Sequence, residues 1–335
     1  MGTAQFSLGG WVEHALCPYS LATAINVYFI ILIQISSFLF ATLFYVHIKI
    51  SNHFHPFFSI LLGSIIFSYA LCGLCLSVQR IVFLFEWDTL HNLLEYPIVY
   101  LYGYITPAYL SFIIERLIAT IYYSRYEHSR FWPLLVVLVV FANCFAIFEI
   151  TQISKNEEGG EKSYVFGYYL MGLCALTSLA FLIIFLINQY LMKSSTNHMT
   201  LTQRYQLIEN IKVVRNALLP IAIFDTLITV TDFAGNAIFK EKFIPIPDRC
   251  ENAVVYIVVF TLMNTLSICF EYCIPLFIML KWAAYKKNLP FWINCRKQVV
   301  PHRDSTVILS VFGDSLNQSP TVIDYFNHLQ MEWNK

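Results

Sequence analysis

Seven runs of mostly apolar residues alternate with short polar segments along this chain. They cover residues 21–46, 57–79, 93–114, 131–153, 165–190, 217–238 and 253–280. Each reaches the roughly 20 residues that a helix needs to cross the hydrocarbon core of a bilayer. The polar residues cluster between the runs, from Lys49 to His55, Arg80 to His91, Glu115 to Arg130, Ser154 to Lys162, Lys193 to Arg215 and Lys240 to Glu251. A polar tail follows from Lys281. The pattern predicts an all-α membrane protein, a seven-transmembrane helix bundle. Residues 1–20 form an N-terminal segment, 21–280 the bundle and 281–335 the tail. No basic region precedes the first run, so it reads as an insertion signal rather than a cleavable signal peptide.

Composition narrows the picture. The chain is 58% hydrophobic and only 13% charged. Such values exclude disorder, which needs low hydrophobicity and high charge. They leave too little polar surface for a soluble enzyme. Lys+Arg and Asp+Glu both number 21, so no bulk positive charge draws a nucleic acid. No zinc-protease, dinucleotide, P-loop or nucleophile-elbow motif is present, so no enzyme activity, cofactor or metal is expected. The nine His residues lie mostly in loops and read as solvated or interfacial.

Sorting the basic residues by segment gives the orientation. With the N-terminus outside, inner segments hold 15 of the 21, among them Arg116, Arg125, Arg130, Arg204, Lys212 and Arg215. The outer segments hold the other 6: Arg80, Lys155, Lys162, Lys240, Lys242 and Arg249. The C-terminus then lies inside. No internal repeat is visible, which with an odd span number argues against a secondary transporter. No span has the closely spaced bases of a voltage sensor.

Ionisable groups are costly in lipid and mark candidate sites. Five fall within the runs, and all are acidic: Glu95, Glu149, Asp225, Asp232 and Glu271. Asp225 and Glu271 lie at matching depth on consecutive spans. Two readings stay open for them, a polar cluster at the base of a ligand cavity and hydrogen bonding that only fixes the bundle. For Glu95, Glu149 and Asp232 the sequence favours interfacial placement. Glu115-Arg116 ends the third run, where the carboxylate can hold the guanidinium until a partner takes it. The bland alternative is an interfacial snorkelling pair.

Two further stretches have helical periodicity. On a 100° wheel, Leu201, Arg204, Tyr205, Ile208, Lys212 and Arg215 share one broad side, with Gln203, Gln206 and Asn210 opposite. This basic amphipathic extension suits a partner helix or anionic membrane lipid. In the tail, Tyr325, Phe326, Leu329 and Trp333 share a face that suits docking, or is a chance pattern in a disordered end. Cys17 and Cys250 both face the oxidising side in this topology, making them a candidate disulfide. Cys295, beyond the basic Lys281, Lys286 and Lys287, is a weak palmitoylation candidate.

These residues carry a resemblance. The run Gln203-Arg204-Tyr205-Gln206, followed by Glu209-Asn210-Ile211-Lys212 and Arg215, resembles the third-loop signature of the nematode class epsilon (Sre) serpentine chemoreceptors. Tyr205 stands where that family more usually has Phe. Tyr325-Phe326-x-x-Leu329-x-x-x-Trp333 is similar to its C-terminal signature, and Glu115-Arg116-x-x-Ala119-Thr120 to its span-three exit. The resemblance implies a chemosensory G-protein-coupled receptor in the plasma membrane, in sensory-neuron cilia. Its partners would be a small external ligand and a heterotrimeric G protein, the latter met by Glu115, Arg116, Arg204, Tyr205, Lys212 and Arg215. Rhodopsin-like features are missing: the seventh run has Glu271 and Pro275 but no Asn-Pro-x-x-Tyr, and the sixth has Pro220 without Cys-Trp-x-Pro. The competing expectation is a ligand-gated cation channel subunit or transporter of the sensory membrane, since acids without bases in the spans suit cation passage.

Overall fold

The computed structural model describes residues 19–51, 54–85, 87–122, 132–157, 163–194, 201–233, 253–282, 285, 286 and 288. Cys17, Cys250, Cys295 and the stripe of Tyr325, Phe326, Leu329 and Trp333 lie outside the described residues. The apolar runs become α1 (Tyr19–Ile50), α2 (Pro56–Leu84), α3 (Asp88–Ile121), α4 (Trp132–Glu157) and α5 (Ser163–Ser194). They continue as α6 (Leu201–Val213), a π-helical turn (Val214–Leu218), α7 (Leu219–Phe233) and α8 (Ala253–Lys281). The pieces α6, π turn and α7 follow without a break and form one rod. Among the described residues, six helical stretches are long and apolar enough to cross a membrane, in α1, α2, α3, α5, the rod and α8. Within α4 a shorter apolar stretch, Trp132–Phe148, supplies the seventh member of the bundle.

Proline explains the irregular points. Pro220 has no N–H to offer the carbonyl four residues back. The π turn ends just before it, with the Leu219 N–H bonded to the Val214 carbonyl in place of the α pattern. Pro275 within α8 likewise withholds a donor from the carbonyl of Glu271.

Packing closes a ring. In order, α1 packs on α2, α2 on α3, α3 on α5, α5 on α7, α7 on α8 and α8 on α1, while α4 lies against α3. Polar contacts fasten the α1–α8 seam. Ser36 donates to Glu271 at 2.7 Å, Tyr272 donates to the Leu32 carbonyl at 2.5 Å, and the Tyr28 and Thr265 hydroxyls stand 3.1 Å apart. Lipid is as apolar as the helix faces, so such bonds and close packing hold the helices together.

The α1–α2 contact shows how tight that packing is. A Cβ on Gly73 would meet the Ser37 Cβ at 3.1 Å and its Cα at 3.5 Å. Ser37 cannot swing aside freely, because its hydroxyl donates to the Ala70 carbonyl at 2.8 Å. Gly73→Ala is therefore expected to destabilise the fold by about 1–3 kcal/mol, read as a lower melting temperature in detergent. Gly172→Ala is the control: its Cβ would meet nothing within 4 Å, so stability should hold or rise slightly.

The tail begins inside the bundle. His47 donates through Nε2 to the Ser59 carbonyl at 2.8 Å, which leaves Nδ1 as acceptor for the Tyr285 hydroxyl at 2.7 Å. Burial pushes the Tyr285 phenol well up, keeping it a donor. Trp282 and Phe54 stack edge to face at 4.9 Å over the same site. A boundary at residue 281 thus marks the end of α8 but not of the packed structure.

Candidate functional site

The first cluster surrounds a partly open cavity of about 90 Å³. Helical spacing puts its lining on single faces. On α2, Tyr69, Cys72, Leu76 and Arg80 recur every three or four residues. On α7, Asp225 and Asp232 stand two turns apart, and on α8 Asn264, Ser267 and Glu271 follow the same rule. Phe29 and Ile33 of α1 and Tyr102 and Ile105 of α3 close the walls.

Three of the five predicted acids therefore meet in one space, each beside a small donor. Tyr69 donates its hydroxyl to Asp225 Oδ1 at 2.7 Å, and the Cys174 thiol lies 3.7 Å from Asp225 Oδ2. Glu271 Oε1 accepts from Ser36. Ser267 lies within hydrogen-bonding reach of Asp232, whose charge Glu271 also feels. Asp232 thus lines the cavity, where the sequence favoured an interfacial position. Glu95 is half-buried on α3 and is not among the lining residues. Glu149 belongs to α4, with its side chain outside the described residues, as is that of Tyr205.

Arg80 corrects the expectation that no base enters a span. The second apolar run ends at residue 79, but Ile81, Val82, Phe83 and Leu84 carry α2 onward. Arg80 is 5% exposed, lines the cavity with the three acids, and sets its guanidinium carbon 5.1 Å from the centre of the Phe29 ring. The Phe29 ring of α1 covers that guanidinium, and no inspection of α2 alone shows it.

The second cluster lies at the C-terminal end of α3. Glu115 and Arg116 form a buried ion pair in which guanidinium Nε and Nη2 face both carboxylate oxygens. Arg116, too, lies within a helix that the third run ended at residue 114. Its Nη1 donates to Asn210 Oδ1 at 3.1 Å, and its charge sits 5.0 Å from the centre of the Phe58 ring. Asn210 in turn donates to Asn188 Oδ1 at 3.0 Å and to the Thr120 hydroxyl at 2.9 Å. Asn188 donates to the same hydroxyl at 2.9 Å. One amide–hydroxyl network thus ties α3, α5 and α6 around the arginine.

That network corrects the helical wheel. The wheel puts Asn210 with Gln203 and Gln206 on the side away from Leu201 and Arg204. It is 4% exposed and faces the bundle beside buried Leu207, Ile211 and Val214. A wheel places residues by angle and leaves open which side faces inward; partners from two other helices satisfy Asn210 there. Lys212 and Arg215 are exposed and Arg204 is partly so. Arg215 donates to Asn216 Oδ1 at 3.3 Å.

Between the clusters runs a line of packed side chains. The Tyr69 and Tyr109 hydroxyls stand 3.3 Å apart at the cavity end. One turn on, the Phe112 ring packs 5.6 Å from Phe58, which carries Arg116 on its face. Sequence reasoning passed over Tyr69, Tyr109, Asn188 and Asn264. Only the Glu-Asn-Ile run around Asn210 gave a hint. Among the described residues no group of three or more His, Cys, Asp or Glu is placed to hold a metal ion.

A protein-family model described as Sre G protein-coupled chemoreceptor matches residues 77–334, more than half of the chain. No curated protein and no solved structure gives a significant match.

Proposed function

The chain belongs to the Sre family of G protein-coupled chemoreceptors, and on that premise we propose that a small external ligand in the cavity activates a heterotrimeric G protein at the Arg116 end. The N-terminus lies outside and the tail inside, in line with the excess of Lys and Arg on the loops that share a side with Arg116. The receptor is a multi-pass protein of the plasma membrane, and its chemosensory family points to sensory cilia.

One observation carries this reading. The α6–π–α7 rod holds Asp225 and Asp232 in the cavity at one end and Asn210 against Arg116 at the other. A ligand that prefers a shifted α7 favours a state in which Asn210 has left Arg116, by the difference in its affinity for the two states. The guanidinium is then free to donate to a partner, and Lys212 and Arg215 further along the same rod are exposed.

The test is a small-molecule screen on cells expressing the receptor, with a second-messenger readout. Ligand responses should vanish when nucleotide exchange on Gα is blocked. A ligand-evoked current that persists under that block would overturn the assignment in favour of a cation channel.

A further inference from the structure

We propose that the cavity takes a compact organic cation, a short-chain primary ammonium whose alkyl group lies on the Phe29–Ile33–Leu76 wall. This rests on the reading of the cavity as the ligand site.

Three carboxyl groups and one guanidinium share the space, so full ionisation leaves a formal charge of about −2 in a low-dielectric setting. Uncompensated buried charge is expensive, and a ligand that brings positive charge removes part of that cost. The hydrogen-bonding inventory points the same way. Asn264 is 9% exposed and uses its Nδ2 on the Phe260 carbonyl at 2.8 Å. Its Oδ1 accepts from no described residue, and neither does Glu271 Oε2. Asp232 stands across from them beside Ser267. The Asn264 amide oxygen and the carboxylates thus present acceptors to the cavity. An ammonium offers three donors and no acceptor. The cavity, about 90 Å³, is small, which favours a short alkyl part.

The experiment uses the full-length receptor in lipid nanodiscs with n-butylammonium chloride as probe. 1-Butanol, sodium butyrate and sodium chloride at matched ionic strength serve as comparators. Butylammonium should raise the melting temperature saturably, and the comparators should not. Glu271→Gln and Asn264→Leu should each raise its half-saturating concentration by about tenfold or more. Where a variant does not fold, the comparison on the unaltered receptor decides. The proposal is overturned if butylammonium gives no shift, if butanol or butyrate matches it, if sodium chloride alone reproduces it, or if both folded variants bind as the parent does. Amine binding that depends on Glu271 and Asn264 but stirs no G protein supports this proposal and sinks the coupling reading. A G-protein response to a ligand indifferent to both residues does the reverse.

Discussion

Arg116→Ala is expected to abolish ligand-driven nucleotide exchange and to lower the stability of the folded receptor by about 3–5 kcal/mol. The two losses have different origins. Glu115 is fully buried, and removing its partner strands a carboxylate away from water. Exchange is lost because the proposed multi-donor contact to the G protein is gone. Adding Glu115→Gln separates them, since the neutral amide no longer needs the cation. The double variant should recover most of the melting temperature and none of the exchange. An Arg116→Ala receptor that signals like its parent would remove Arg116 from the coupling role.

Asn210→Leu should act in the opposite direction. The substitution keeps side-chain bulk but removes three interhelical hydrogen bonds, to Arg116, Asn188 and Thr120. Such bonds in membrane proteins average about 0.6 kcal/mol each, so the closed arrangement loses about 2 kcal/mol. That amounts to a population shift of about 20- to 30-fold toward the open arrangement. Ligand-independent nucleotide exchange should rise accordingly in membranes holding equal amounts of receptor. A basal rate unchanged from the parent would show that the amide network is packing and not a lock.

The seven helices and the acids of the sixth and seventh spans were legible in the sequence because lipid imposes a simple rule on length and polarity. Glu115-Arg116 was legible because two opposite charges at a span exit are few and local. What escaped were residues whose burial is settled by other helices. Arg80 looks like the start of a loop until Phe29 of α1 covers it and it joins the acids of α7 and α8 in lining one cavity. Asn210 looks solvent-facing on its own helix until Arg116, Thr120 and Asn188 supply its partners. Tyr285 looks like tail until His47 and Trp282 enclose it. Pairwise satisfaction of polar groups across the bundle has no one-dimensional signature, because the partners are up to 240 positions apart.

The π turn at Val214–Leu218 has a consequence for insertions and deletions along the rod. Asn210 and Asp225 are 15 positions apart, which an uninterrupted α-helix at about 100° per residue would leave about 60° out of phase. A π turn takes one residue more than an α turn, and so sets the downstream half back by roughly one residue's rotation. The lead of about 60° becomes a lag of about 40°, and both side chains face inward. The rod carries one surplus residue, stored in the turn just before Pro220. Loss of a residue there leaves both ends indexed as they are, while the same loss between Leu219 and Asp225 swings the carboxylate about 100° away from its neighbours. Rewinding the turn to α without changing chain length would rotate one half against the other while the rod stays whole, so the surplus residue is also a stored twist.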